Sequence, residues 1–242
     1  MRRAWIAGLA GMRANFKPGL LLWAVVTTLV LLYVLVPTAR PVYDRIEGWQ
    51  NAWGLWFSAF STGLCGAVLP WLFLISLGRM PHGGRTRRLI FLLIFWIYRG
   101  LEAALFYQLQ TWLFGEARNP LSGAVDVGVV LRKLALDMLV WTPFWSIPTT
   151  TLVYTWWEDC DADWQCFRRK LHRDLFTVRI PALILAAWMV WIPTVCLIYS
   201  LPSALQMPIF SIVLCFWVLL VAVVAGKEQS RGPAVAQDAL SG

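Results

Sequence analysis

Charge is scarce in this chain. Only 14% of its 242 residues are Asp, Glu, Lys or Arg, about half the share of an ordinary soluble domain, while 59% are hydrophobic and mean hydropathy is +0.63. Histidine is scarcer still, with His82 and His172 the only two. No HExxH, GxSxG, GxGxxG or phosphate-binding loop occurs, so the sequence offers none of the usual enzyme signatures, and no enzymatic activity is expected. A cleavable signal peptide is missing too: residues 1–17 (MRRAWIAGLAGMRANFK) are basic and amphipathic, without an apolar core and small-residue cleavage site. They read as a surface helix leading into the first long apolar run, with an Arg-rich organelle presequence as the lesser alternative.

Cysteine is neither abundant nor even in number. Five residues argue against a disulfide framework, and Cys65, Cys196 and Cys215 lie in apolar runs where cysteine behaves as a small hydrophobe. Cys160 and Cys166 are expected as thiols accessible from the inside. The stretch EDCDADWQC places Asp159, Asp161 and Asp163 at alternate positions, as a calcium loop begins. The sixth position is Trp164 where glycine is needed and the twelfth is Lys170, which excludes an EF-hand. Cys160, Cys166 and His172 match no standard zinc spacing. No metal or cofactor is expected, and the segment reads as a solvated loop.

What the chain has is long apolar runs. Six segments reach the roughly 20 residues a membrane span requires: 18–37, 53–78, 88–114, 133–156, 181–200 and 207–226. The expectation is therefore an all-α membrane protein: one transmembrane domain over 1–226, with a short N-terminal amphipathic helix, proline kinks and a disordered tail at 227–242. Lys and Arg sort between the connections. With Arg88 at the edge of the third span included, fifteen fall before the first span and after the second, fourth and sixth, against Arg40, Arg45 and Arg118 in the alternate loops and Arg132 at the edge of the fourth span. By the positive-inside rule both termini lie inside, in a prokaryotic cytoplasmic membrane or, in a eukaryote, a mitochondrial inner or peroxisomal one. The net charge of +8 then finds its partner in anionic lipid headgroups rather than nucleic acid. A homo-oligomer stays open. Trp49, Trp53, Trp56, Trp112, Trp156 and Trp157 mark span ends, where interfacial belts form.

Inside this apolar frame the polar residues stand out. The third span carries Arg99 and Glu102, three residues apart on one face, with Gln110 further along. Its fourteen Leu, Ile and Phe contribute about −4 to −8 kcal/mol toward insertion, against about +5 to +7 for the two central charges. The helix is thus marginal unless its charges face other helices. The fourth span carries Asp137, with Arg132 and Lys133 one turn earlier. It also carries Pro143 and Pro148, and Thr142, Ser146, Thr149 and Thr150 at three- and four-residue steps. Pro193 interrupts the fifth span. Intramembrane charge is a mark of function by default, and the expectation is a small channel or pore-like protein for ions or small solutes, in which Arg99, Glu102 and Asp137 ring a constriction with the hydroxyls lining its wet side. The alternative is a non-conducting structural or partner-binding membrane protein, in which the same residues clamp helices and repair carbonyls freed by proline. The matched broken helices of a secondary transporter are only hinted at by the three prolines.

The order of these features resembles the Mpv-seventeen / peroxisomal membrane protein twenty-two family. The resemblance rests on Arg132-Lys133 followed by Asp137 and, six residues on, Pro143. It continues with Trp164, Lys170-Leu171 and Asp174, and then with Trp191, Pro193, Tyr199, Leu201-Pro202 and Trp217. Gly84-Arg85-Thr86, Gly100 and Phe106-Tyr107 resemble the family's earlier helix region, so the likeness covers 84–226. The sequence departs from the family at Leu197-Ile198, where Asn-Phe is usual, and at Gln206, where a basic residue is usual. The span at 53–78 looks like an insertion. The resemblance implies a membrane protein of mitochondria, peroxisomes or similar compartments, with a weakly selective channel or a role in membrane homeostasis.

Overall fold

The fold is that of an all-α integral membrane protein, as a computed structural model shows. The structure describes residues 2–78, 84–119 and 121–238. For Arg2 and for residues 221–238 only the backbone is described. Among the described residues no strand forms, and the extended elements reduce to one isolated bridge between Arg118 and Val125. Arg79 and His82 lie outside the described residues; of the tail expected to be disordered, 227–238 continue the last helix and 239–242 lie outside the described residues.

Among the described residues ten α-helices follow in the order α1 (Arg2–Leu35), α2 (Arg40–Trp53), α3 (Leu55–Gly63), α4 (Leu69–Ser76), α5 (Arg85–Phe114), α6 (Val127–Leu136), α7 (Ile147–Trp157), α8 (Trp164–Lys170), α9 (Ile180–Tyr199) and α10 (Ser203–Asp238). π-helical turns join α3 to α4 (Leu64–Val68), α6 to α7 (Asp137–Ser146) and lead into α9 (Leu175–Arg179). The basic stretch read as a short amphipathic helix runs without a break into the first span as α1. Pro18 is the one residue there that lacks a backbone donor, and it does not end the helix.

Among the described residues five helical runs are long and apolar enough to cross a membrane: Arg3–Leu35, Leu55–Ser76, Arg85–Phe114, Leu175–Tyr199 and Ser203–Leu220. The sixth expected span, 133–156, is helical along its whole length but is not among the five. Asp137, two prolines and a run of threonines dilute its apolar character. The multi-pass character also shows in the surface. On α5, Ile90, Ile94, Tyr98, Leu105 and Leu109 are exposed, while Phe95, Gly100, Ala104 and Phe106 are buried. A helix with apolar side chains on both its covered and its uncovered face belongs in lipid. The interfacial tryptophans Trp49, Trp53, Trp56 and Trp112 are exposed at helix ends as an aromatic belt requires.

The chain divides into two compact units. The first comprises Met1–Trp23 with Ala117–Ser200, the second Ala24–Glu116 with Leu201–Gly242. In the first, α1 lies against α9 so closely that a Cβ on Gly8 would stand 2.6 Å from Leu185 Cδ1. Trp23 donates its indole N–H to the Val190 carbonyl at 2.9 Å.

In the second unit the tightest packing is between α3 and α5. A Cβ on Gly100 would meet Ser58 O and Thr62 Cβ, each at 2.7 Å. Small residues allow this approach, which is how helices associate where lipid removes the hydrophobic drive between them. Ser211 of α10 closes the seam, its hydroxyl 3.0 Å from Thr62 and 3.2 Å from Ser61. Gly100→Leu is expected to force the helices apart and to cost on the order of 1–3 kcal/mol. A fall in the thermal unfolding midpoint of the purified protein in detergent measures it, with Ile94→Leu on the exposed face as the neutral control.

Candidate functional site

The best-defined polar site is built around Asp137 in the first unit. Asp126 begins the helix by capping it, its carboxylate accepting from Val129 N at 3.1 Å. Beyond Leu136 the α-helix gives way to the π-helical segment Asp137–Ser146, which contains Pro143. Asp137 is 6% exposed and Lys133, one turn before it, is fully buried. The carboxylate accepts two hydroxyl hydrogen bonds: Tyr199 OH at 2.5 Å to Oδ2, and Thr142 Oγ1 at 3.2 Å to Oδ1. Tyr199, at the last turn of α9, is itself completely buried. Charge-assisted bonds of this kind are about twice as strong as neutral ones, and burial sharpens them.

The proline explains the next contact. In a π-helix the N–H of residue i bonds the carbonyl of i−5, so Pro143, which has no N–H, leaves the Met138 carbonyl without its helical donor. Trp188 of α9 supplies one, its indole N–H 2.8 Å from Met138 O. Other hydroxyls of the fourth span serve their own helix: Thr149 bonds Trp145 O at 2.6 Å and Ser146 O at 3.2 Å, and Thr151 bonds Ile147 O at 2.7 Å. Pro148 stands two residues into α7, which continues the π-helical segment without a break, so it too withholds a donor from an ongoing helix, and Pro193 lies inside α9. One residue beyond Pro193, Thr194 donates to Val190 O at 2.8 Å. The stripe Thr142, Ser146, Thr149, Thr150 therefore holds one hydroxyl on the Asp137 carboxylate and one on backbone carbonyls, with Ser146 and Thr150 half-buried in the same run.

Arg99, Glu102 and Gln110 belong to the second unit. Arg99 Nη1 reaches both Glu102 carboxylate oxygens, at 2.9 and 2.8 Å, with the two side chains 14% and 10% exposed. Pairing at i and i+3 on α5 partly neutralises both groups within one helix. Gln110 is fully buried on the same helix.

Two features escaped the sequence. Tyr199 is the strongest partner of Asp137 yet stands 62 residues away, and only its place in the family pattern marked it. Cys160 and Cys166, expected as thiols, are joined in a disulfide, their Cα atoms 5.6 Å apart. The pairing is local: Asp161 and Ala162 take left-handed backbone conformations (φ 48° and 63°) that turn the chain back. Asp163 then caps α8 by accepting from Gln165 N and Cys166 N. The odd cysteine count is accounted for by Cys65, Cys196 and Cys215, which form no disulfide. Beside this turn Arg179 bonds Asp159 at 3.0 Å, and Lys170 donates to the Asp159 carbonyl at 2.9 Å.

These helices and this buried hydroxyl–carboxylate site define the chain as a multi-pass, all-α membrane protein. No protein-family model, no curated protein and no solved structure matches it.

Glu47 on α2 is held above its ordinary pKa of 4.5, first by partial burial and then by the charges of Asp44 and Glu116. A raised folded-state value means the protonated form is favoured by folding. The stability it contributes is full below about 4.5 and is lost as pH rises through the raised value. Glu47→Gln removes that dependence. The wild type is expected to gain thermal stability relative to Glu47→Gln as pH falls from neutral towards 4.5; midpoints that run parallel across this range contradict it.

Proposed function

We propose that the protein is a non-conducting membrane component, structural or partner-binding, in which intramembrane polar residues clamp helices rather than line a water path. The carrying observation is the fully buried bond between Tyr199 and Asp137. An acidic side chain placed to attract ions is expected to face water, whereas this carboxylate is covered and engaged by two hydroxyls. Arg99 and Glu102 spend their charges on each other in the same way. The hydroxyls and the Trp188 indole bond backbone carbonyls, which is repair of proline-broken ladders. On this reading the residues that looked like a selectivity ring set helix register, and the inside basic loops hold anionic headgroups.

A channel-like role, which the resemblance to the Mpv-seventeen / peroxisomal membrane protein twenty-two family implies, draws on one observation of its own. The ten-residue π-helical segment Asp137–Ser146 is a departure from α geometry of the kind concentrated at functional sites. Reconstitution of the purified protein into planar bilayers separates the two. The clamp reading predicts no unitary conductance above protein-free bilayers, for the wild type, Arg99→Ala and Asp137→Asn alike. Unitary currents from the wild type would overturn it, and currents altered by Asp137→Asn would place the channel at this site.

A further inference from the structure

The second unit contains a cavity that none of the clamps uses. Its volume is about 360 Å³, within the range of small-ligand pockets. It lies at the end of α5 away from Arg85, Arg87 and Arg88, between the last turn of α2, the second half of α5 and the first turn of α10. The lining is unusual for a protein rich in leucine and tryptophan. Gln50, Asn51, Gln108, Thr111, Ser203 and Gln206 supply amides and hydroxyls, and Ala104, Tyr107 and Met207 supply an apolar wall. No Asp, Glu, Lys or Arg is among the described residues that line it.

Several of these polar groups are held in place before any ligand arrives. Gln50 donates to the Gly54 carbonyl at 3.1 Å and accepts from Ser58 Oγ at 3.1 Å. Gln206, 1% exposed, donates from Nε2 to Leu201 O at 3.0 Å, while its Oε1 meets no hydrogen-bond donor among the described residues. Ser203 is fixed by Glu116, which takes its hydroxyl at 2.5 Å and its backbone N–H at 3.3 Å. A buried amide oxygen with no donor is costly to leave so, and a ligand hydroxyl entering the cavity that Gln206 lines is the natural donor for it. Preorganised amides facing one apolar aromatic wall suit a molecule with many hydroxyls on its rim and a C–H face on its flat side. Charge narrows the class further. Glu116 stands at the cavity's edge and acts on Glu47 together with Asp44, so this end of the unit disfavours anions. A cation gains no carboxylate in the lining itself.

We propose that this cavity binds an uncharged polyol of about monosaccharide size, either as a free solute or as the headgroup of a neutral glycolipid. The inference goes beyond the clamp reading and does not depend on whether the protein conducts.

The test uses the full chain in phosphatidylcholine nanodiscs, with D-glucose as the free probe and galactosyl diacylglycerol doped into the discs as the lipid probe. Saturation-transfer NMR reads the sugar and native mass spectrometry reads the retained lipid. D-glucuronate serves as the anionic comparison and is expected to bind more weakly by on the order of tenfold or more. Two variants map the site. Ala104→Phe fills the cavity, and Asn51→Leu combined with Gln108→Leu removes two exposed rim amides without touching the buried core. A glucose signal lost in both variants supports a free polyol. Galactolipid retained over phosphatidylcholine and lost in both variants, with glucose silent, supports the headgroup. Failure of both probes to bind, binding indifferent to the rim variant, or glucuronate binding as tightly as glucose would overturn the proposal.

Discussion

The hydrogen bond between the Tyr199 hydroxyl and the Asp137 carboxylate is the contact on which the first unit depends. A carboxylate taken out of water is expensive unless its lone pairs are occupied. Asp137 has one oxygen on Tyr199 and the other on Thr142, which fixes the π-helical segment against the last turn of α9. The neighbouring contacts are organised around that point. Met138, adjacent to Asp137, gives its carbonyl to Trp188, which lies about three turns before Tyr199 on the same face of α9. Val190 in turn accepts from Trp23 and Thr194. A single buried acid, a proline that removes a donor and two tryptophan indoles thus tie three helical segments together through polar bonds rather than apolar area.

The second unit solves a similar problem differently. Its charges meet inside α5, where the salt bridge between Arg99 and Glu102 offsets part of the cost of burying each. The insertion energies read from sequence leave that helix near balance. Pairing the two charges and covering them to within 14% and 10% exposure brings the cost down without moving either residue. Cohesion then comes from close backbone approach at Gly100 and from the Ser61, Thr62 and Ser211 hydroxyls. The polar cavity at the far end of α5 is the exception, since it gathers amides and hydroxyls that only in part bond the helices around it.

Much of the fold was legible because membrane insertion imposes length and polarity on a sequence directly. The apolar runs gave five helices of spanning length, and the i, i+3 spacing marked the Arg99–Glu102 pair. The segment 133–156 was legible as a helix but its π register was not, because the shift from i−4 to i−5 bonding depends on what packs against Pro143. Trp188 and Tyr199 could not be assigned to Met138 and Asp137, since contacts 50 and 62 residues apart leave no local pattern. The Cys160–Cys166 bond was missed for the opposite reason. Counting cysteines over the whole chain obscured a local turn, closed by left-handed Asp161 and Ala162, that needed only two of them.

If Asp137 is a clamp closed by Tyr199, the two side chains must be energetically coupled. A double-mutant cycle on the purified protein in detergent measures that coupling, with Tyr199→Phe, Asp137→Asn and the pair together. Each single change is expected to lower unfolding stability. The double change is expected to cost less than the sum, with a coupling of about 0.6–1.7 kcal/mol, the range found between polar side chains in membrane helices. Additive effects, with no coupling between the two positions, would contradict the clamp.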